Sequence, residues 1–493
     1  MPKESLQINL AGIKLSKKSA TPLYTQLYEQ FREMILSNRL RPGDRLPASR
    51  NLAKELGVSR VIISQGYEQL MMEGYLIGKT GSGTFVNDTL PDNLLNAKKI
   101  DSVKSKIDSS KNLISTNKNI PLLFDASGLS AFQIGTPSLD FFPYKAWNNV
   151  GVKILKELKG FDLGYGDTLG YLPLRNAIAS YLRVSRAVSC EAEQVIVVTG
   201  SQLGLNLIVE CLLQKGDKVW MEDPGYHGAV AAFSNAGTTI CPVPVEEDGL
   251  NIKHAIRKFS DARLAYVTPS HQFPLGSTLS HAKRLQLLAW AKQNQMWVLE
   301  DDYDSEFRYK GNPLASLQGM DTAGVVIYSG TFSKVLFPGL RLAYLVLPSI
   351  DMVNKFKQVK LNIDRQSPIM EQLILSRFME EGYFLRHIRK MRLLYAERQT
   401  ILIKLMHECL GDYFRLNMAA SGMHLICWLS DKINIIKFQQ EIKKEKLIVS
   451  FVSDFTISNH MPAAIALGYT AFSKYKLKTG VERLVRCVQN SLA

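Results

Sequence analysis

Three patterns of apolar and polar positions follow one another along the chain. In the first, Leu23, Leu27, Phe31, Met34 and Ile35 recur at helical spacing behind Pro22, a residue suited to a first helical turn because its missing N–H has no partner to lose there. That helix stops before Arg41-Pro42-Gly43-Asp44, a turn sequence. Ser49 is a candidate N-cap for a short helix over Arg50–Leu56 ending at Gly57, and Ser59 for a second over roughly Arg60–Gly74. Residues 75–86 then predict two short strands around a tip of small residues. The second pattern, residues 87–125, is rich in Asn, Lys, Ser and Asp and has no aromatic before Phe124, so it buries little and is expected to be a linker. In the third, from residue 126 to the end, short β-branched runs alternate with amphipathic segments. Val195–Thr199, Lys218–Met221, Leu264–Val267, Met296–Leu299, Val325–Ser329 and Leu342–Val346 predict strands, and Leu203–Leu213 a helix. Strands alternating with helices argue an α/β sheet covered on both faces.

Composition supports a globular reading. The 493 residues are 46% hydrophobic and 21% charged, and Gly 33 and Pro 19 are too few for a collagen-like or low-complexity chain. No apolar run approaches the ~18–20 residues that span a bilayer, and the N-terminus lacks the apolar stretch of a secretory signal. No membrane association is expected. Six scattered Cys without a CxxC pair make a disulfide framework or zinc site unexpected and suit a reducing cytoplasm. A net charge of +15 favours an anionic partner such as nucleic acid. Residues 1–90 hold only +4 of it, so motifs rather than charge must locate the contact.

Two helices joined by a three-residue turn containing Gly are the signature of a helix-turn-helix. The second carries Arg60, Ser64 and Gln65 on its N-terminal part, where base edges are read. The run LPASRNLAKELGVSRVIISQGYEQLMMEGYLIGKTGSGTFV closely resembles the winged helix of GntR-type regulators. The resemblance implies a double-stranded DNA operator contacted by Arg50, Ser59, Arg60, Ser64 and the wing tip Gly81, Ser82 and Gly83. The chain departs from the pattern at Val61-Ile62-Ile63, where relatives often carry a Thr, which puts its base preference in question.

In the third zone several features converge on pyridoxal phosphate. Lys334, in Tyr328-Ser329-Gly330-Thr331-Phe332-Ser333-Lys334, follows an apolar strand and can condense with an aldehyde where its surroundings favour the neutral amine. Arg341 with Ser329 and Thr331 suits a phosphate dianion. Thr199-Gly200-Ser201-Gln202 ends a strand and opens a helix, whose first N–H groups make an anion site. Glu300-Asp301-Asp302-Tyr303 lies at the carboxyl end of another strand, where α/β sheets place ligands. One carboxylate there can keep the cofactor's pyridine nitrogen protonated. Successive residues of a strand face opposite ways, so only one of Asp301 and Asp302 can point into the pocket.

Residues 130–493 resemble fold type I aminotransferases. The resemblance implies Lys334 as the lysine bonded to the cofactor, Asp301 at the pyridine nitrogen and Tyr303 at the phenolic oxygen. It implies Ser201, Gln202, Ser329, Thr331 and Arg341 at the phosphate and Tyr226 stacked on the ring. A winged helix and this domain on one chain, with the runs TPSHQFPLG, EDDYDSEFRY and SGTFSK…PGLRLAYLVLP, resemble the MocR/GabR subfamily of GntR-type regulators. The expected architecture is therefore a winged helix-turn-helix over 16–86, a linker over 87–125, and an aminotransferase-like, pyridoxal-phosphate-binding and dimerising domain over 126–493. By the same resemblance a head-to-tail homodimer is expected.

Two departures bear on activity. Phe273 stands where aminotransferases usually carry Asn, leaving His271 and Gln272 as the polar residues of that loop and His271 as a candidate cofactor contact. Ala466 stands where they usually carry the Arg that holds a substrate α-carboxylate, and no Arg occurs between Arg415 and Arg483. Little or no transaminase turnover is expected. The reading is of a regulator whose domain senses a small molecule, either pyridoxal phosphate itself or an amino acid or amine. The alternatives are a working aminotransferase with an appended DNA-binding domain, and a scaffold without cofactor.

Overall fold

The computed structural model describes residues 13–79, 82–88, 131–311, 314–416, 420–458 and 461–492. Gly81 of the expected wing tip and residues 89–125 of the expected linker lie outside them. The chain divides into two compact units, residues 1–117 and 118–493.

The small unit is built on α1 (Leu23–Leu36), α2 (Ser49–Leu56) and α3 (Arg60–Met72). Their apolar stripes meet: Leu27, Phe31 and Ile35 of α1 pack with Leu52 of α2 and with Ile63, Tyr67 and Leu70 of α3. The Phe31 and Tyr67 rings touch edge to face at 5.6 Å. Strands β1 (Leu76–Lys79) and β2 (Gly83–Val86) pair antiparallel, with Leu76 opposite Val86. Both residues close the same core. Two local expectations shift. Ser49 is the first helical residue, with Ala48 at the cap position, because the Ser49 hydroxyl is turned to Arg60 instead of the backbone. Ser59 holds the cap position of α3 without a side-chain cap bond.

The large unit centres on an eight-stranded sheet. Its strands are β3 (Val195–Val198), β4 (Lys218–Asp223), β5 (Thr239–Glu246), β6 (Gly249–Leu250), β7 (Leu264–Val267), β8 (Trp297–Asp302), β9 (Val326–Thr331) and β10 (Ala343–Val346). The order is β3-β10-β9-β8-β7-β4-β5-β6. The run from β9 to β5 is parallel, while β10 and β6 run antiparallel to their neighbours. Alternate residues serve two cores: Val195 and Val197 pack on one side, Ile196 and Val198 on the other. Burial on both faces is why these strands are continuous apolar runs. A second, antiparallel sheet holds β11 (Phe414–Leu416), β12 (His424–Leu429), β13 (Ser450–Phe451) and β14 (Ala464–Gly468) in the order β11-β12-β14-β13. The helix expected over Leu203–Leu213 spans Ser201–Leu212, so it begins right at the carboxyl end of β3.

Candidate functional site

The carboxyl ends of β8, β9, β3 and β4 converge on one cavity of about 180 Å³. Its wall includes Ser201, Gln202, Tyr226, Asp301, Tyr303, Thr331, Lys334 and Arg341, eight of the ten residues the sequence nominates for a cofactor. The parallel connections put them there: each strand delivers its last residues and the following loop to the same edge.

Lys334 lies just past β9. Its Nζ donates to the Gly135 carbonyl at 2.9 Å. Burial pushes its ammonium down to about 8, against the opposing pull of Asp304 and Asp301. Asp301 points into the cavity. Burial raises its carboxyl to about 6, while the Tyr266 hydroxyl, donating at 2.6 Å, favours the anion. Asp302 points the other way, where Arg186 Nε donates to it at 2.7 Å and the Tyr328 hydroxyl at 2.5 Å. The alternation of the strand thus leaves Asp301 as the carboxylate facing the cavity, and Asp302 as half of a buried ion pair.

Gly200 sits between β3 and the helix it feeds, at φ 82°. A Cβ at this position would lie 2.8 Å from Arg341 Nη2. The guanidinium therefore rests directly over the start of the Ser201–Leu212 helix, where unpaired backbone N–H groups and the helix dipole also favour an anion. Thr331 and Ser333 also line the cavity, and the Thr331 hydroxyl accepts from the Ser333 N–H at 3.2 Å.

The remaining two nominees are placed differently. Ser329 faces the same side of β9 as Thr331 but two residues farther from its end, and it is not on the cavity wall. His271 is not on the wall either: it is buried behind Tyr303, with Nδ1 2.9 Å from the phenol oxygen and 3.0 Å from Asp304 Oδ2. The loop after β7 folds His271 inward and brings Phe273 to the wall. Several wall residues were not nominated. Ser333 could have been found from its place beside Lys334. Tyr266 lies in β7, and Thr268 opens the TPSHQFPLG run after it, whose polar candidates in sequence lie farther along at His271 and Gln272. His424, from the start of β12, is also on the wall. It donates from Nε2 to the Pro274 carbonyl at 2.7 Å, and burial pushes it down to about 3, so it is neutral.

Ala466 lies in β14, fully buried and opposite Ile426 and Ser450. It belongs to an apolar cluster with Ile134, Ile426, Val452 and Phe455, against which Phe273 packs. Ile134 and Phe273 also form part of the cavity wall. Lys334 and Arg341 are the cationic side chains among the wall residues.

In the small unit, Arg50, Ser59, Arg60, Ser82 and Gly83 are exposed and Ser64 is half-buried. Arg60 Nε donates to Ser49 Oγ at 3.3 Å, which ties the start of α3 to that of α2. Arg50, Lys54 and Arg60 rim the shallow concavity between these helices. On the wing, Lys79 lies 5.2 Å from the centre of the Phe85 ring. Arg45, bridged to Phe85, adds a further exposed cation. Arg45, Lys54 and Lys79 were not nominated, since isolated basic residues are ordinary surface and only the fold groups them. Among the described residues, no helix is long and apolar enough to cross a membrane, and no group of three His, Cys, Asp or Glu could hold a metal ion.

Comparison with known proteins divides the chain in the same way. Residues 23–86 match the family of bacterial regulatory proteins, gntR family, and residues 143–484 match aminotransferase class I and II. The probable rhizopine catabolism regulatory protein MocR of Rhizobium meliloti is 39% identical over 84% of this chain and 83% of its own length. The HTH-type pyridoxine biosynthesis transcriptional regulator PdxR of Corynebacterium glutamicum is 32% identical over 85% of this chain and 86% of its own. Among solved structures, the multiple substrate aminotransferase of Thermococcus profundus matches with a TM-score of 0.70 at 25% identity, covering 78% of this chain and 98% of that one.

Proposed function

The chain belongs to the MocR/GabR subfamily of GntR-type transcription regulators, in which a DNA-binding winged helix is joined to an aminotransferase-like domain, and from that premise we propose that its large unit carries pyridoxal phosphate and that the state of this cavity sets how the small unit binds its operator. The observation that carries the reading is the convergence of Lys334, Asp301 and the Gly200–Arg341 cradle at one strand edge. The cradle, which a Cβ at position 200 would fill, suits a phosphate. Asp301 suits the pyridine nitrogen, Tyr303 the phenolic oxygen and Tyr226 the ring face. When bound, the cofactor supplies an aldehyde carbon that an amine can join and a ring that withdraws electrons.

The protein's own groups do the rest. Arg341 and the helix start neutralise the phosphate. Asp301 holds a proton at the ring nitrogen, and Tyr266 holds Asp301 in place. Lys334 supplies the amine. Its neutral form is the nucleophile, so capture of added pyridoxal phosphate by apo-protein should speed up about tenfold per pH unit below about 8 and level off above it. Stopped-flow absorbance from pH 6 to 9.5 measures this, and a rate that stays flat through pH 8 would contradict it.

Among the described residues no guanidinium other than Arg341 lies on the wall, and Ala466 is packed in an apolar cluster. A substrate α-carboxylate therefore lacks the bidentate partner that orients it for proton transfer, an orientation worth several kcal/mol of barrier. This supports sensing over turnover, with pyridoxal phosphate itself favoured as the effector. The regulator works in the cytoplasm as a head-to-tail homodimer.

For the DNA half, Arg50, Ser59, Arg60, Ser64 and the wing around Ser82 and Gly83 are the proposed contacts. Arg60→Ala should weaken binding to the operator by about 1–3 kcal/mol if the side chain reads a base. A phosphate contact instead would lower affinity evenly across sequences and reduce the salt slope by about one. Unchanged affinity and slope in fluorescence anisotropy would remove α3 from the reading role.

A further inference from the structure

His271, Asp304 and Tyr303 form a buried chain of polar groups behind the cavity. The relative exposures of His271 and Asp304 are 2% and 1%. Both contacts of the imidazole are made at Nδ1: Tyr303 Oη at 2.9 Å and Asp304 Oδ2 at 3.0 Å. Nε2 is buried and has no partner among the described residues. It lies against Gly422, where any Cβ would overlap the ring. A buried N–H without an acceptor is costly, so the ring's N–H belongs on Nδ1. That N–H is then shared between the carboxylate and the phenol oxygen. Tyr303 accepts on this side and has its own hydrogen left for the cavity. Burial keeps the phenol far above its ordinary value, so that hydrogen is retained.

Two other wall hydroxyls near Asp301 and Tyr303 are committed elsewhere. Tyr266 donates to Asp301 at 2.6 Å and Thr268 to Glu222 at 2.5 Å. His424 donates away to Pro274. Phe273, with its ring centre 5.9 Å from that of Tyr303, brings no polar atom. Tyr303, backed by His271 and Asp304, is a directed donor on this part of the wall.

We propose that His271 and Asp304 are a positioning pair acting through Tyr303: they hold its hydroxyl as an acceptor behind and a donor in front, aimed at the phenolic oxygen of the cofactor. This rests on the reading that the cavity binds pyridoxal phosphate. It also accounts for a histidine in the motif that never reaches the wall.

The test uses full-length apo-protein and pyridoxal phosphate, with affinity and the absorption spectrum of the bound cofactor as readouts. The side-chain nitrogen of Asn sits near the place of Nδ1, and that of Gln near the place of Nε2. H271N should therefore bind within about twofold of wild type with the same spectrum. H271Q should bind about five- to tenfold more weakly, the loss expected for one hydrogen bond, with a changed ratio of absorption bands. In a Tyr303→Phe background the difference between the two variants should vanish. Equal behaviour of H271N and H271Q, or a difference that survives in Tyr303→Phe, would overturn the proposal. Failure of wild type to bind pyridoxal phosphate at all is a separate result, and would instead defeat the reading beneath it.

Discussion

Lys334→Ala is expected to leave the protein folded and unable to form a reducible bond with pyridoxal phosphate. The amine lies at the edge of the cavity, 2.9 Å from the Gly135 carbonyl, and its side chain belongs to none of the apolar clusters that hold the sheet. Its removal therefore takes away a polar arm and leaves the core intact. The loss of covalent capture should be complete, because among the described residues no other lysine lines the cavity. After borohydride reduction and digestion, mass spectrometry of wild type should place the adduct on Lys334, and the variant should carry none. Circular dichroism should be the same for both. An adduct on a different lysine would refute the assignment.

Arg341→Ala should produce the second-largest effect. The guanidinium stands over Gly200 at the helix start, where a phosphate would accept from it and from the backbone together. A hydrogen bond to a charged group is worth ~1.5–3 kcal/mol, so losing two should cost ~3 kcal/mol or more. At ~1.4 kcal/mol per factor of ten, that is about 100-fold weaker binding of pyridoxal phosphate. The loss should be specific to the phosphate: pyridoxal, which lacks it, should bind wild type and variant alike. Arg341→Lys should recover only part of the loss, since an ammonium cannot present two parallel N–H groups. Equal losses for both ligands would move the phosphate away from Arg341.

Much of this site is legible in the sequence because its signals are local. Strands buried on both faces are unbroken apolar runs, and the residues that end them fall at one edge by the rules of parallel connection. That is why Asp301, Lys334 and Ser201 stand out from their places at or after the ends of such runs. What the sequence does not disclose is what long-range contacts decide. The choice between Asp301 and Asp302 depends on Arg186, which comes from a helix 116 residues earlier and claims Asp302. His271 is polar and sits in the right loop, yet that loop folds it behind Tyr303, against Asp304 and Gly422. The sequence nominates Ser329 and not Ser333, although both flank Thr331 at two residues' distance. Only the point at which β9 ends, Thr331, puts one on the wall and leaves the other behind it.

Occupation of the cofactor cavity in the large unit is expected to govern DNA binding by the small one. The most direct measurement is a fluorescence-anisotropy titration of full-length apo-protein onto duplexes that the cofactor-loaded protein has selected from a random pool. It is carried out with and without pyridoxal phosphate, for wild type and for Lys334→Ala. A ligand can shift such an equilibrium only through a differential affinity for its two states, so occupation of the cavity must register as a change in duplex affinity. Wild type should show a several-fold change that Lys334→Ala fails to show at the same cofactor concentration. Identical duplex affinity for wild type with and without pyridoxal phosphate, at saturation of Lys334, would contradict it.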